Sequence, residues 1–226
     1  MHAVAIVAAA GSGSRLGADR PKALVPLAGR PLVCWAVDGL LAGGVAEVVV
    51  TVPAAERDAF AAVLPPAVRI VDGGSTRTAS VRAGLAALSD PADVVLVHDA
   101  ARPLTPPDVV ARVLAALAAG APAIVPVLPV VDTTVRVDDD GAVLDAVPRA
   151  PLRRVQTPQG FARDVLEQAY AALPDGAELT DDAAVVRAAG VRVDTVAGDE
   201  RSAKVTVPHD LTLAELAVTL DGTVTR

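Results

Sequence analysis

The chain has 226 residues, 52% of them hydrophobic and 2% aromatic, and a formal net charge of -7 at pH 7. That is enough apolar material for one sizeable core, so a single domain over 1–226 is expected; the acidic balance and scarce aromatics argue against a broad nucleic-acid surface. Cys34 is the only cysteine, which excludes an intrachain disulfide and a cysteine-rich metal site, and with no leader pattern and no run near the roughly 18 apolar residues of a membrane span, the cytoplasm is the expected location.

Along the chain, short apolar runs alternate with amphipathic stretches. Strands are predicted at Val4 to Ala10, Glu47 to Val52, Val68 to Val71, Val94 to Val97 and Ala123 to Val127. They are β-branched and continuous, as suits strands buried on both faces of a parallel sheet. Helices are predicted between them at Pro31 to Leu41, Ala54 to Val63, Thr78 to Leu88 and Pro107 to Ala118. The expected fold is α/β: a Rossmann-like, mostly parallel, doubly wound sheet. The rhythm breaks over 130–155. Asp132 to Val137 and Ala142 to Val147 alternate about Asp138-Asp139-Asp140-Gly141, a hairpin signal. A lone two-stranded hairpin is marginal in water. The segment is therefore expected to protrude as a β-arm that packs on a second subunit; the alternative is a flap on its own domain. Helices at Asp164 to Leu173 and Asp181 to Ala189, a strand at Val191 to Val196 and a last helix at Leu211 to Leu220 complete the pattern.

The first strand runs into Ala8-Ala9-Ala10-Gly11-Ser12-Gly13-Ser14-Arg15-Leu16-Gly17 and then Arg20-Pro21-Lys22. Glycines let backbone N–H groups approach phosphate oxygens, and Arg15 and Lys22 add positive charge, at the end of a strand where open α/β sheets bind ligands. The spacing is neither the dinucleotide fingerprint nor the P-loop. In the Gly73-Gly74 turn, backbone groups and the Ser80 hydroxyl can meet a pyrimidine edge, or Ser75 or Thr76 can simply cap the next helix. Asp99, at the end of a buried strand, suits Mg²⁺ or a ribose hydroxyl; the plainer roles are an N-cap or a partner for Arg102. His98 is expected to be a packed strand-end residue. Arg149 suits bidentate phosphate recognition, although it can equally be an exposed arm arginine, with Arg153 or Arg154 as the contact. Thr180 and Asp181 fit a helix cap as well as a substrate hydroxyl.

The stretch AAAGSGSRLGADRPKAL is similar to the triphosphate-gripping signature of nucleotide-activating transferases. Asp72 to Val81, the HDAARP run from His98 to Pro103, Thr157-Pro158-Gln159, Thr180-Asp181-Asp182 and Lys204-Val205-Thr206 follow in order. Together they resemble the 2-C-methyl-D-erythritol 4-phosphate cytidylyltransferase family over nearly the whole chain. The resemblance implies a homodimeric nucleotidyltransferase acting on CTP and methylerythritol phosphate with Mg²⁺ near Asp99. It implies a nucleotide site of Ala9, Ala10, Gly11, Gly13, Gly74, Ser80, Asp99 and Ala100. Arg15 and Lys22 would meet the transition-state charge, and Lys204 and Arg149 the attacking phosphate. Thr133, Arg102, Thr157, Thr180 and Asp181 would contact the acceptor, with Thr133 and Arg149 reaching across the dimer. Two departures stand out: Ser202 where the family more usually has Asn, and Pro148-Arg149 where it often has Asp-Arg. Three rivals remain at this level: a transferase of the same fold using another polyol phosphate such as ribitol 5-phosphate, a dinucleotide-dependent oxidoreductase, and a non-enzymatic nucleotide-binding regulator.

Overall fold

The computed structural model describes residues 1–226 except 12, 14, 15, 18, 19, 89–91, 175, 178, 221 and 223–226. The strands β1 (Ala3–Ala8), β4 (Glu47–Val52), β5 (Arg69–Asp72) and β6 (Val94–Asp99) pair in parallel in the order β5-β4-β1-β6. Two short strands, β2 (Pro26–Leu27) and β3 (Arg30–Pro31), form a separate ladder. The main sheet, eight-stranded among the described residues, then departs from the simple parallel scheme. β11 (Gln159–Ala162) inserts antiparallel between β6 and β7 (Ala123–Pro129). β10 (Arg153–Val155) pairs antiparallel with the distal part of β7, and β12 (Asp194–Ala197) pairs with β7 in parallel.

Side chains alternate across this sheet as a two-residue period requires. Ala3, Ala5 and Val7 of β1, with Leu96 of β6, join a core layer with Val33, Val37 and Leu40 of α1 (Leu32–Ala42) and Val110, Val113 and Leu117 of α4 (Pro107–Ala118). Ile6, Val95 and Val97 point the other way. They pack on Val81 and Leu85 of α3 (Arg77–Ala86), Leu166 and Tyr170 of α5 (Arg163–Ala172), and Val185 and Val186 of α6 (Asp182–Ala188). With so few aromatics, close packing depends on small residues. A Cβ at Gly84 would fall 2.6 Å from Ile6 Cγ2, so glycine there lets α3 press onto β1.

The predicted elements keep their types, with differences at their ends, while β2, β3, β10 and β11 are strands the sequence pattern does not predict, β10 joining the main sheet from within the 130–155 stretch expected as the arm. β1 stops at Ala8, which frees Ala9 and Ala10 to turn; β6 runs on to Asp99; and the helix expected at Ala54 to Val63 is a 3-10 turn followed by α2 (Arg57–Ala61). The final helix, α7 (Pro208–Leu220), starts earlier than expected. The region 130–155 contains a hairpin, β8 (Thr134–Val137) against β9 (Val143–Val147), paired with no other strand among the described residues. Its turn is organised by Asp138, whose Oδ1 accepts from Ala142 N (2.8 Å) and Asp140 N (3.1 Å), with Gly141 at φ 85°. No described helix is long and apolar enough to cross a membrane.

Candidate active site

A cleft of about 500 Å³ opens over the carboxyl ends of β1 and β6. Its walls come from distant parts of the chain because backbone hydrogen bonds tie the strand ends together. Ala9 N donates to Thr51 O (2.9 Å), Gly73 N to Val52 O (2.7 Å), Ala100 N to Ala8 O (3.2 Å) and Val205 N to Ala101 O (2.8 Å). The last of these delivers Lys204 and Thr206 to the cleft. Asp210, at the start of α7, accepts from Thr206 N (2.7 Å) and Val207 N (2.9 Å) and fixes that segment further.

The structure places Ala9, Ala10, Gly11, Gly13, Lys22, Gly74, Ser80, Asp99, Ala100 and Lys204 on this one cleft. Arg15 lies outside the described residues. Gly13, at φ 68°, sits against Lys22: a Cβ there would come 2.4 Å from Lys22 Cβ. Glycine thus allows both the left-handed backbone and the approach of Lys22 over the loop. At the Gly73-Gly74 turn, Thr76 caps α3 by accepting from Ala79 N (3.1 Å). Ser80 is wholly buried; its Oγ accepts from Gly74 N (3.1 Å) and lies 2.8 Å from Thr76 O. The hydroxyl, which also lies 3.3 Å from Gly74 O, therefore shapes the turn.

Asp99 is the carboxylate among the described lining residues. Its Oδ2 accepts from Lys204 Nζ (2.7 Å) and its Oδ1 from Arg77 Nε (3.2 Å). Burial alone would raise its pKa, but Arg77 and Lys204 outweigh that and hold it well below the usual carboxylate range. Arg77 is a lining residue whose role the motif reading left unassigned, although it stands inside the quoted Asp72 to Val81 stretch. Its Nη2 donates to Asp182 Oδ2 (2.7 Å), and Tyr170 OH donates to Asp182 Oδ1 (2.6 Å). Ser75, Thr76 and Thr206 also line the cleft without having been singled out as ligands.

Beneath Asp99 lies a directed hydrogen-bond chain. The Asp99 N–H donates to Thr157 Oγ1 (3.1 Å), which lies 2.9 Å from His98 Nδ1; His98 Nε2 lies 3.2 Å from the Arg102 carbonyl. A carbonyl only accepts, so Nε2 carries the proton and Nδ1 accepts from the Thr157 hydroxyl. Burial pushes the His98 pKa down to about 4, keeping the ring neutral. His98 is thus packed and wholly buried, with both ring nitrogens engaged.

The remaining predicted contacts do not line this cleft. Thr157 is buried under Asp99 and spends its hydroxyl there. Arg102 donates to Ser202 O (2.7 Å) and Val155 O (3.3 Å), so the Ser202 backbone meets it while Ser202 Oγ and Arg102 Nε are buried without a hydrogen-bond partner among the described residues. Asp181 takes its plainer role, capping α6 by accepting from Ala184 N (2.8 Å) and also accepting from Gln159 Nε2 (2.8 Å). Thr180 is exposed beside it. Thr133 and Arg149 are exposed at the base of the hairpin, and Arg149 Nη1 donates to Val131 O. They stand outside the cleft of their own chain.

Comparison with known proteins matches this arrangement to one family. The IspD family model, 2-C-methyl-D-erythritol 4-phosphate cytidylyltransferase, matches residues 3–220. A protein of that name from Nocardia farcinica is 54% identical over 215 residues, covering 94% of this chain and 92% of the relative. The crystal structure of the Thermus thermophilus 2-C-methyl-D-erythritol 4-phosphate cytidylyltransferase is 39% identical, with a TM-score of 0.80 over 97% of this chain and 100% of that one. That of 4-diphosphocytidyl-2C-methyl-D-erythritol synthase from Anaerococcus prevotii is 25% identical, with a TM-score of 0.83 over 96% and 98%. With a match that spans the sheet, the cleft loops and the hairpin alike, the chain belongs to the 2-C-methyl-D-erythritol 4-phosphate cytidylyltransferase family.

Proposed function

We propose that the chain transfers a cytidylyl group from CTP to 2-C-methyl-D-erythritol 4-phosphate, releasing pyrophosphate, in the non-mevalonate route to isoprenoid precursors. The observation that carries this reading is the convergence of Lys22, Arg77 and Lys204 on a cleft where Asp99 is the one carboxylate among the described lining residues, in a chain of net charge -7. Two anions must meet in this reaction, so the work lies in positioning and charge neutralisation. The acceptor phosphate attacks the α-phosphorus of CTP in line, and pyrophosphate leaves opposite. A phosphate monoester is largely dianionic at neutral pH, so it needs no general base; neutral, enclosed His98 is consistent with that.

In this reading the loop of Ala9, Ala10, Gly11 and Gly13 receives the triphosphate, with the backbone N–H groups of Ala10, Gly11 and Gly13 as donors, since that of Ala9 is spent on Thr51 O. Lys22, with Arg15 from the same loop, meets the charge that grows on the phosphates. The Gly74 turn receives the base, and Lys204 turns from Asp99 to the acceptor phosphate. Asp99, ionised at the end of β6, suits a hard cation that takes one carboxylate and completes its shell with phosphate oxygens and water. Asp99 is thus the residue that would hold Mg²⁺, which when bound supplies charge neutralisation on the triphosphate. Among the described residues no cluster of three or more His, Cys, Asp or Glu side chains stands ready to hold a metal ion, so Asp99 would be its holder from this chain.

The hairpin belongs to the same reading as a dimer arm. Val135, Val137, Val143 and Leu144 are 41%, 54%, 65% and 64% exposed on an isolated two-stranded ladder. Covering them with a second copy removes apolar surface from water. It would bring Thr133 and Arg149 to the neighbouring cleft, with Arg102, Thr157, Thr180 and Asp181 grouped around the acceptor side as contacts or supports. A cytoplasmic location is part of the proposal, consistent with a lone, buried Cys34. Turnover of CTP against a panel of polyol phosphates tests the acceptor. Methylerythritol phosphate is expected to give a diphosphocytidyl product while ribitol 5-phosphate gives none; the reverse preference would overturn the assignment.

A further inference from the structure

Behind the cleft, Arg77, Asp99 and Lys204 are continued inward by a polar network whose inner members, Asp182 and Tyr170, the reaction as described does not use. Asp182 opens α6 and is fully buried. One of its oxygens accepts from Arg77 Nη2 at 2.7 Å, the other from Tyr170 OH at 2.6 Å. Arg77 also reaches Asp99 through Nε at 3.2 Å, and Asp99 reaches Lys204 at 2.7 Å. The order from interior to cleft is therefore Tyr170, Asp182, Arg77, Asp99, Lys204. We propose that Asp182, backed by Tyr170, is a positioning residue for the cytidylyltransferase reaction: it never meets a substrate, but aims the Arg77 guanidinium at Asp99 and so sets the charge of the cleft floor.

The chemistry requires such an anchor. An arginine side chain has many rotamers, and one that lines an open cleft loses its orientation unless something holds it. A carboxylate with no exposed surface is a strong fixed point, because leaving it unpaired in the interior is costly. Tyr170 strengthens the point: burial, and then the neighbouring Asp182 charge, push its pKa upward, so it keeps its proton and donates it. Within this network two cationic side chains, Arg77 and Lys204, face two carboxylates, Asp99 and Asp182. When Lys204 turns to a phosphate, Arg77 still compensates Asp99, provided Asp182 holds it in place. Without that hold, Asp99 would confront the incoming triphosphate with less compensation.

The inference rests on the cytidylyltransferase reading, and a double-mutant cycle tests it separately. The variants are Asp182→Asn, Arg77→Ala and the pair, each checked by circular dichroism to be folded at the assay temperature. They are read in kcat/KM for CTP and in CTP affinity by calorimetry without acceptor. Asp182→Asn is expected to lower kcat/KM about tenfold, a fraction of the loss on deleting a preorganised charge contact outright. In the Arg77→Ala background it is expected to cause no further loss, because a residue that acts through another is non-additive with it. Tyr170→Phe, which keeps the packing, is expected to show a smaller loss with the same dependence on Arg77, and it carries the cycle if Asp182→Asn does not fold. Equal losses with and without Arg77 would reduce Asp182 to a general structural role and overturn the proposal. So would wild-type kinetics in both Asp182→Asn and Tyr170→Phe. A wild-type chain that binds CTP without turning it over contradicts the cytidylyltransferase reading alone, since the affinity arm still reads the anchor; one that does neither removes both.

Discussion

At the scale of single residues, what matters is where each charge is held and what holds it. Lys22 reaches the cleft because Gly13 leaves room for it and adopts a backbone that other residues resist. Lys22→Ala is expected to lower kcat by about a hundredfold, the scale for removing one preorganised charge contact, while weakening CTP binding much less. Single-turnover rates and calorimetry separate the two effects, and near-normal turnover would remove Lys22 from the mechanism. His98 makes a different prediction, about stability. Its ring is held neutral in the fold with a pKa of about 4, whereas in the unfolded chain it takes a proton below about 6.5. Its contribution is therefore complete above pH 6.5 and is lost as pH falls toward 4. Between pH 7 and pH 5 the loss is on the order of 2 kcal/mol. The depressed pKa of Asp99 stabilises the fold throughout this range and is lost only below the ordinary carboxylate pKa, so it does not contribute to the difference between pH 7 and pH 5. Urea unfolding at the two pH values, with His98→Gln as the comparison, measures the difference; an equal pH dependence in both proteins would contradict it.

At the scale of elements, the arm carries the clearest expectations. If its exposed valines and Leu144 meet a second copy, Leu144→Asp shifts the protein toward monomer, as read by sedimentation at fixed concentration. It also lowers activity, because Thr133 and Arg149 then leave the neighbouring cleft. A wild-type chain that is already monomeric while fully active would contradict the dimer arm. Arg149→Ala, which leaves the apolar residues of the arm in place, is expected to raise KM for the sugar phosphate by about tenfold or more, as the loss of a charge-assisted contact of roughly 1.5–3 kcal/mol implies. KM for CTP should stay nearly constant; equal effects on both substrates would contradict the assignment. The elements also show what the sequence makes legible. Strands buried on both faces announce themselves as apolar runs, so Glu47–Val52 is found with its observed limits. β11 does not: Gln159-Gly160-Phe161-Ala162 has neither alternation nor an apolar run, and becomes a strand because β6 and β7 offer it backbone partners on both sides. The hairpin is readable from its Asp-Gly turn. What covers it is not in the local pattern, because an apolar face on a lone ladder indicates a partner without saying which.

At the scale of the molecule, the sheet brings three cations from the beginning, middle and end of an acidic chain to one cleft. Lys22 and Lys204 can be read from motifs, since each stands in a short distinctive run. The Arg77–Asp182 contact cannot, because it joins α3 to α6 across 105 positions and Asp182 looks like an ordinary first-turn acid. Thr157 is a related case: its run marks a real feature of the site, yet the hydroxyl turns inward to hold the Asp99 backbone. Motifs therefore mark which segments meet, while the structure decides which side chains face the cleft and which support it. The most direct test of the central claim is pyrophosphate release from CTP and Mg²⁺ by the full chain, with and without 2-C-methyl-D-erythritol 4-phosphate. Release that requires the acceptor and matches it mole for mole is the expected result. Release without acceptor, or none in its presence, would contradict the account.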